Sequence, residues 1–168
     1  MVPDDFTGYF AAAATAAGAL IGLLFVAASL RPDTVLGRGA PAAARAIAGS
    51  AFTALVNSFF VSLIALVPGT RLGYTATVMA LISLWSTLHL HRQVPRHEVN
   101  AVQLVLALVA YLGQLGVGVA SIFSPGTSGY VEAVAYLLVA SFAVALRRAW
   151  SLLQGRHLPS EQDTQVSD

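Results

Sequence analysis

Charged residues are scarce in this chain of 168 residues: they make up 10% of it, against 57% hydrophobic residues. Soluble domains are typically about 25% charged, because charged side chains cover the surface that faces water. So few charges exclude a soluble enzyme, a disordered protein and a nucleic-acid-binding protein. With a mean hydropathy of +0.73, the composition indicates an integral membrane protein that lies in a lipid bilayer.

Cysteine is absent, which excludes disulfides, thiolate metal sites and a cysteine nucleophile. Lysine is absent too, so all nine basic residues are arginines; they face eight acidic residues, for a net charge of +1. That balance predicts no attraction to nucleic acid or other polyanions. A composition rich in alanine and arginine is typical of bacteria with GC-rich genomes, and we therefore expect the bacterial inner (plasma) membrane.

The apolar stretches also lack Asp, Glu, Lys and Arg near their middle, where proton relays and charged-substrate sites generally need one. No HExxH, GxSxG or GxxxxGK motif occurs. Three histidines, His89, His91 and His97, cluster in sequence, but the first two are only two residues apart and point in different directions on a helix. An interfacial basic loop is favoured over a metal site there. We expect no enzyme activity, no cofactor and no metal.

Five apolar stretches are each long enough to cross a bilayer, which takes about 20 helical residues. Long continuous apolar runs favour helices over the alternating pattern of membrane strands. The sequence predicts an all-α polytopic helical bundle, with one transmembrane domain over residues 1–157 and a disordered cytoplasmic tail over 158–168. The predicted spans are 6–30, 46–67, 72–90, 99–123 and 131–150.

The distribution of arginine predicts the orientation, because cytoplasmic loops are enriched in positive charge. Five spans place eight of the nine arginines on one side and only Arg71 on the other. We therefore expect the N-terminus outside and the C-terminus in the cytoplasm. The acidic start at Asp4 and Asp5 argues against a cleaved signal peptide, which begins with positive charge. The eight are Arg31, Arg38, Arg45, Arg92, Arg96, Arg147, Arg148 and Arg156.

Two outer turns read alike, Pro68-Gly-Thr-Arg-Leu-Gly-Tyr and Pro125-Gly-Thr-Ser-Gly-Tyr. A carboxamide precedes each proline by eleven residues, Asn57 in one case and Gln114 in the other. This pattern predicts a first helix followed by two copies of one helical hairpin, related by an axis along the membrane normal. The alternative is that bilayer physics alone gives any two hairpins a Pro-Gly turn and an interfacial tyrosine.

Asn57 and Gln114 are the most polar residues near the bilayer midplane. Together with Thr53, Ser83 and Gln103 they lie on helix faces that must turn away from lipid, because an exposed amide there is costly. Two interpretations stay open. The side chains form interhelical hydrogen bonds that pack the helices, or they line a pore or substrate path.

Two further pairs of residues are candidates for contacts between helices. Gly18 and Gly22 form a GxxxG pattern in the first span, where small residues let another helix approach closely, within the bundle or in self-association. Arg71 and Glu132 are the charged residues of the two outer turns. We predict that they form an ion pair at the outer surface that joins the two hairpins.

The segment from Phe10 to Leu30, with its small residues and its Gly-Leu-Leu-Phe-Val-Ala run, resembles a group of small actinobacterial membrane proteins. A Val67-Pro-Gly turn after the second span resembles the same group. Most of its members are uncharacterised, and some are labelled modulators of the FtsH membrane protease. The resemblance covers the first three spans best. It implies no catalytic residue and allows a larger membrane protein as partner.

Three functions remain. The first is a small homo-oligomeric channel or transport-type protein in which Asn57 and Gln114 line the path. The second is a non-catalytic accessory protein that binds a larger membrane partner, such as a protease, through the first span. A membrane enzyme is the least favoured because the acids are missing. The paired amides at one depth favour the first.

Overall fold

A computed structural model describes residues 2–30, 42–94, 101–124 and 128–153, which contain five long helices and no strand. The all-α prediction is therefore confirmed over these ranges. A short 3-10 turn, Asp4–Phe6, precedes the first helix. The predicted tail over 158–168 lies outside the described residues. The helices are α1 (Thr7–Leu30), α2 (Ala42–Ala65), α3 (Leu72–Arg92), α4 (Ala101–Phe123) and α5 (Ser128–Leu153).

Within the described residues, four helices are long and apolar enough to cross a membrane, over Asp4–Leu30, Ala44–Ala65, Ala101–Phe123 and Gly129–Trp150. The exception is α3. Its 21 residues extend about 31 Å, at 1.5 Å per residue, but hydroxyl and imidazole side chains make it less apolar. The protein is therefore compatible with an integral membrane location, while a fifth crossing and the orientation stay predictions.

Consecutive helices run antiparallel, and four of them close into a ring. α2 packs against α3, α3 against α4, α4 against α5, and α5 against α2, whereas α1 packs outside the ring, chiefly against α2. As a result α2 and α4 occupy opposite corners, and so do α3 and α5. α2 and α4 begin where α3 and α5 end, as the contacts of Gly49 with Leu90 and of Arg148 with Gln103 require.

The two ends of the ring differ in character. One end carries Arg45, Arg92 and Arg147 as well as Arg148, and we call it the basic end. Near the opposite end, residues of the ring helices and of α1 form an apolar cluster. Its buried members are Phe10, Val61, Ala65, Leu72, Ala76, Val134 and Leu138.

The outer surface of the ring is apolar even on α3. Leu81, Ile82 and Trp85 are exposed there, with Trp85 at 72% of its full accessibility. The hydroxyl side chains of Ser83 and Thr87 on the same helix are buried. An apolar outside around a polar inside is the reverse of a soluble bundle. This distribution fits a helix that faces lipid.

Candidate functional site

Asn57 and Gln114 form a reciprocal pair of hydrogen bonds across the ring. Asn57 Nδ2 donates to Gln114 Oε1 at 2.9 Å, and Gln114 Nε2 donates to Asn57 Oδ1 at 3.0 Å. Gln114 Nε2 also donates to the carbonyl of Ala76 on α3, at 3.1 Å. Both side chains are 0% exposed. Because α2 and α4 occupy opposite corners, this amide pair bridges the ring and links three of its four helices.

The amide pair joins the two positions that the predicted repeat makes equivalent. The turn that follows Asn57 is described: Gly69 adopts φ of 80°, a conformation that favours glycine. The hydroxyl of Thr70 donates to the carbonyl of Ile64 at 2.8 Å. The corresponding turn after Gln114, residues 125–127, lies outside the described residues. The repeat itself therefore stays a prediction.

Thr53 fixes the depth of the amide pair relative to α3. Its hydroxyl donates to the carbonyl of Gly49 at 2.9 Å and shares a 3.0 Å hydrogen bond with Ser86. Asn57 lies one turn beyond Thr53, and Ser83 lies one turn before Ser86. Since the two helices are antiparallel, both steps lead away from the basic end. Ser83 is therefore at about the same depth as Asn57.

Ser83 and Thr87 carry buried hydroxyl groups that have no hydrogen-bond partner within the described part of the chain. They share the buried face of α3 with Ala76 and Ala80. Serine and threonine in membrane helices commonly donate to the carbonyl four residues earlier, as Thr77 does to Gly73 at 2.7 Å. Buried polar groups usually find a partner. These two hydroxyls therefore leave hydrogen-bonding capacity inside the ring.

Among the described residues Arg148 is the largest fully buried side chain, with 1% of its surface exposed. Its Nη2 donates to the backbone carbonyl of Gln103 on α4, at 2.9 Å. The buried phenol of Tyr111 is close enough for an electrostatic interaction with the guanidinium. From the sequence Arg148 counts only as one of the arginines of the basic end. The structure places it inside the bundle, where a charged group is costly and often functional.

The spacing of buried residues on α5 is a sequence signal for the burial of Arg148. Leu138, Ser141 and Ala145 are all buried on α5. Their spacing of three and four residues continues to Arg148 and passes over Arg147, which is exposed.

The buried polar side chains described above form what we call the polar interior. It extends from the amide pair toward the basic end and contains Ser50, Ser83, Thr87, Tyr111, Ser141 and Arg148.

The backbones of α3 and α4 approach each other closely at Gly73 and Gly118, where the two helices cross. A Cβ atom on Gly118 would lie 2.6 Å from Thr77 Oγ1 and 2.9 Å from Thr77 N. A Cβ atom on Gly73 would lie 2.9 Å from the carbonyl oxygen of Gly118 and would overlap the hydroxyl of Ser121. Only glycine fits on either side of this crossing, which holds α3 in the ring.

The predicted glycine pair in α1 has a different environment. A Cβ atom on Gly18 would make ordinary contact with Phe59, at 3.6 Å, and one on Gly22 would have no atom within 4 Å. α1 instead packs through Phe10, Ala13, Ala14, Ala17 and Ala28. The Gly22 side of α1 is therefore open, and no tight crossing occurs at this GxxxG pattern.

Arg71 and Glu132 are both exposed, and among the described residues no ion pair joins them. The reason lies in the ring: Arg71 precedes α3 and Glu132 is in α5, so they stand at opposite corners. Gln103 is half-buried, and its backbone carbonyl binds Arg148. Of the predicted polar residues, the structure thus brings together Asn57 and Gln114 directly and leaves Ser83 at their depth.

The described ranges contain no group of three or more His, Cys, Asp or Glu residues that could hold a metal ion. His91 Nδ1 is within 2.9 Å of the carbonyl of Thr87, and His89 Nε2 is within 3.0 Å of the amide of Gln93. His97 lies outside the described residues. No protein-family model matches the chain, and neither a curated protein nor a solved structure is significantly similar to it.

Proposed function

We propose that this chain is a small transport-type membrane protein whose path runs through the ring of α2 to α5. The amide pair of Asn57 and Gln114 carries this proposal. It lies at the centre of the ring, between the polar interior and the apolar cluster that contains Val61 and Leu138, next to which the hydroxyls of Ser58 and Ser62 are also buried. A pair held by hydrogen bonds between side chains can open without unfolding a helix.

The polar interior supports the same proposal. A bundle built only for packing in lipid gains little from buried hydroxyls without partners, since each such group costs about 1–3 kcal/mol when it is desolvated. Ser83 and Thr87 keep this capacity on the inner face of α3. Polar side chains that turn inward while apolar side chains face outward are expected of a path for polar solutes. In this proposal the path is closed where the amide pair bridges the ring.

Flux through liposomes tests the proposed path. We expect reconstituted protein to conduct a polar solute or ion, and Asn57→Leu combined with Gln114→Met to abolish the flux, because the apolar pair cannot hydrate when the ring opens. The double variant removes both amides together, so no unpaired amide stays buried and the variant is expected to fold. Phe60→Leu on the exposed side of α2 is the matched control and should retain wild-type flux.

Absence of flux in wild-type liposomes, or undiminished flux in the folded double variant, contradicts the proposed path. Folding of each variant is checked by gel filtration in detergent before reconstitution. Either result would favour packing as the role of the amide pair.

A second candidate is an accessory protein that associates through α1. The observation behind it is that α1 stands outside the ring and exposes Ala11, Thr15 and Gly22 on one stripe, with no atom near a Cβ on Gly22. Small residues in lipid permit close approach of another helix. The partner is a second copy of the chain or a larger membrane protein, as the resemblance to protease modulators implies.

Cysteine crosslinking separates these partners, because the natural chain has no cysteine. We expect Gly22→Cys to form a disulfide-linked dimer in native membranes on mild oxidation, since two α1 helices can approach at this stripe. Val109→Cys on the exposed side of α4 is the control and should stay monomeric. Equal crosslinking of both variants would indicate random collision. Absence of a crosslinked dimer at Gly22→Cys would contradict self-association through α1, so that only a larger membrane protein could be the partner there.

A further inference from the structure

We infer that the outer surface of α2 and α3 at the basic end binds the headgroup of an anionic phospholipid, such as phosphatidylglycerol, between Arg45 and Arg92. This surface lies outside the ring, so a lipid there is independent of the proposed path. Three observations support the site: two exposed cations at nearly one depth, polar side chains between them, and exposed aromatic side chains next to them on the apolar part of the surface.

The depth of the two arginines follows from the contact of Gly49 on α2 with Leu90 on α3. A Cβ atom on Gly49 would lie 3.1 Å from Leu90 Cδ1. Arg45 is four residues nearer the basic end than Gly49, and Arg92 is two residues nearer than Leu90. The helices are antiparallel, so the two arginines differ in depth by about 3 Å. Neighbouring helix axes are about 8–10 Å apart, which two arginine side chains can span from both sides.

The side chains between the two arginines are polar. Arg45, Arg92, His89 and Gln93 are all exposed. His89 Nε2 and Gln93 Nε2 lie 3.0 Å apart. At 3.6 residues per turn, His89 and Gln93 are on the side of α3 between Arg92 and Leu90, which is the side toward α2. The two arginines therefore flank a polar surface that can bind the oxygens of a headgroup.

The charge of this surface favours an anion. A guanidinium group binds phosphate oxygens through paired hydrogen bonds. The acidic residues that the structure describes, Asp4, Asp5 and Glu132, lie toward the other end of the bundle, so within these ranges no carboxylate pairs with Arg45 or Arg92. Clusters of arginine at the end of membrane helices attract anionic lipids for this reason.

The exposed aromatic side chains favour a phospholipid over a free phosphate ion. Trp85 is exposed on α3, seven residues and therefore about 10 Å from Arg92 on the same face. Phe52 of α2 is also exposed, lies at nearly the depth of Trp85, and packs edge-on against Phe25 of α1 with ring centroids 5.5 Å apart. Aromatic rings are typical of the depth where acyl chains join the headgroups. A free ion would contact only the polar side chains, whereas a lipid contacts both parts of the surface.

Fluorescence quenching at Trp85 tests the site. The chain has two tryptophans, and Trp150→Phe leaves Trp85 as the only one. This variant is reconstituted in vesicles of equal parts phosphatidylglycerol and phosphatidylcholine. Brominated acyl chains, which quench tryptophan on contact, are placed on one lipid or on the other, so the surface charge stays the same. We expect phosphatidylglycerol to be preferred at Trp85 by about fivefold, the factor that one arginine contributes at an anionic surface.

Arg45→Gln and Arg92→Gln, each added to the Trp150→Phe variant, should lower this preference about twofold or more. Both side chains are exposed, so these variants are expected to fold. Arg147→Gln is the matched control, because it removes the same charge from the basic end on α5, at the corner opposite α3, and it should keep the preference.

Equal quenching by the two brominated lipids overturns the inference. Absence of quenching by either lipid also overturns it, because Trp85 would then not face lipid. An equal loss of preference in all three arginine variants would show that the total charge of the basic end attracts the lipid, and it would overturn a site between Arg45 and Arg92.

Discussion

Gly118→Ala is expected to destabilise the protein by about 1–3 kcal/mol, the usual cost of forcing an extra methyl group into a packed interior. The added Cβ would lie 2.9 Å from the backbone nitrogen of Thr77 and 3.1 Å from the carbonyl oxygen of Gly73. Both are main-chain atoms, so a change of rotamer cannot relieve the contact and α3 must move away from α4. Unfolding in mixed micelles with increasing SDS, followed by circular dichroism, measures the loss.

Gly116→Ala is the matched control for this prediction. It lies on the same helix two residues earlier, and a Cβ atom there would have nothing within 4 Å. Its stability should be unchanged or slightly higher, since alanine has a better helix propensity than glycine. Equal effects of the two substitutions would show that the loss of glycine, and not the helix crossing, controls stability. In that case α3 would be held in the ring by other contacts.

The positions of the helices could be predicted from sequence because each property that determines them is local. Lengths of apolar runs, Pro-Gly turns and arginine-rich ends identify segments that match α1 to α5 within a few residues. The pairing of Asn57 with Gln114 could also be predicted from the sequence, for a related reason. Both amides stand eleven residues before a proline, which places them at one depth, and neither can face lipid.

The rest depends on which helices are neighbours, and no local pattern determines that. Gly18 and Gly22 match a packing motif but lie on a helix at the periphery, whereas Gly73 and Gly118 are part of no GxxxG pattern within a helix and meet only because α3 adjoins α4. Arg71 and Glu132 fail to meet because their helices stand at opposite corners. Arg147 and Arg148 are adjacent and chemically identical, yet only Arg148 points into the bundle.

The amide pair gives the second large prediction, a coupling between Asn57 and Gln114. Asn57→Leu removes one donor and one acceptor from Gln114, and we expect it to cost about 1–2 kcal/mol. Gln114→Met should cost more, because it leaves the whole amide of Asn57 unpaired and also removes the bond to the carbonyl of Ala76. The double variant should cost less than the sum by about 0.5–2 kcal/mol, since neither amide is then buried alone.

The same SDS titration measures the stability of the wild type, the two single variants and the double variant. Additive losses would mean that the reciprocal hydrogen bonds contribute no coupling and that the amides act separately. A positive coupling in stability says nothing by itself about transport, because packing and closure of a path both require the bond. The double variant distinguishes packing from closure of a path. If the amides serve only packing, the double variant should lose less stability than the sum of the single variants and should keep the wild-type flux. A closed path that hydrates on opening predicts recovered stability with lost flux, since the two introduced apolar side chains would pack together and exclude water.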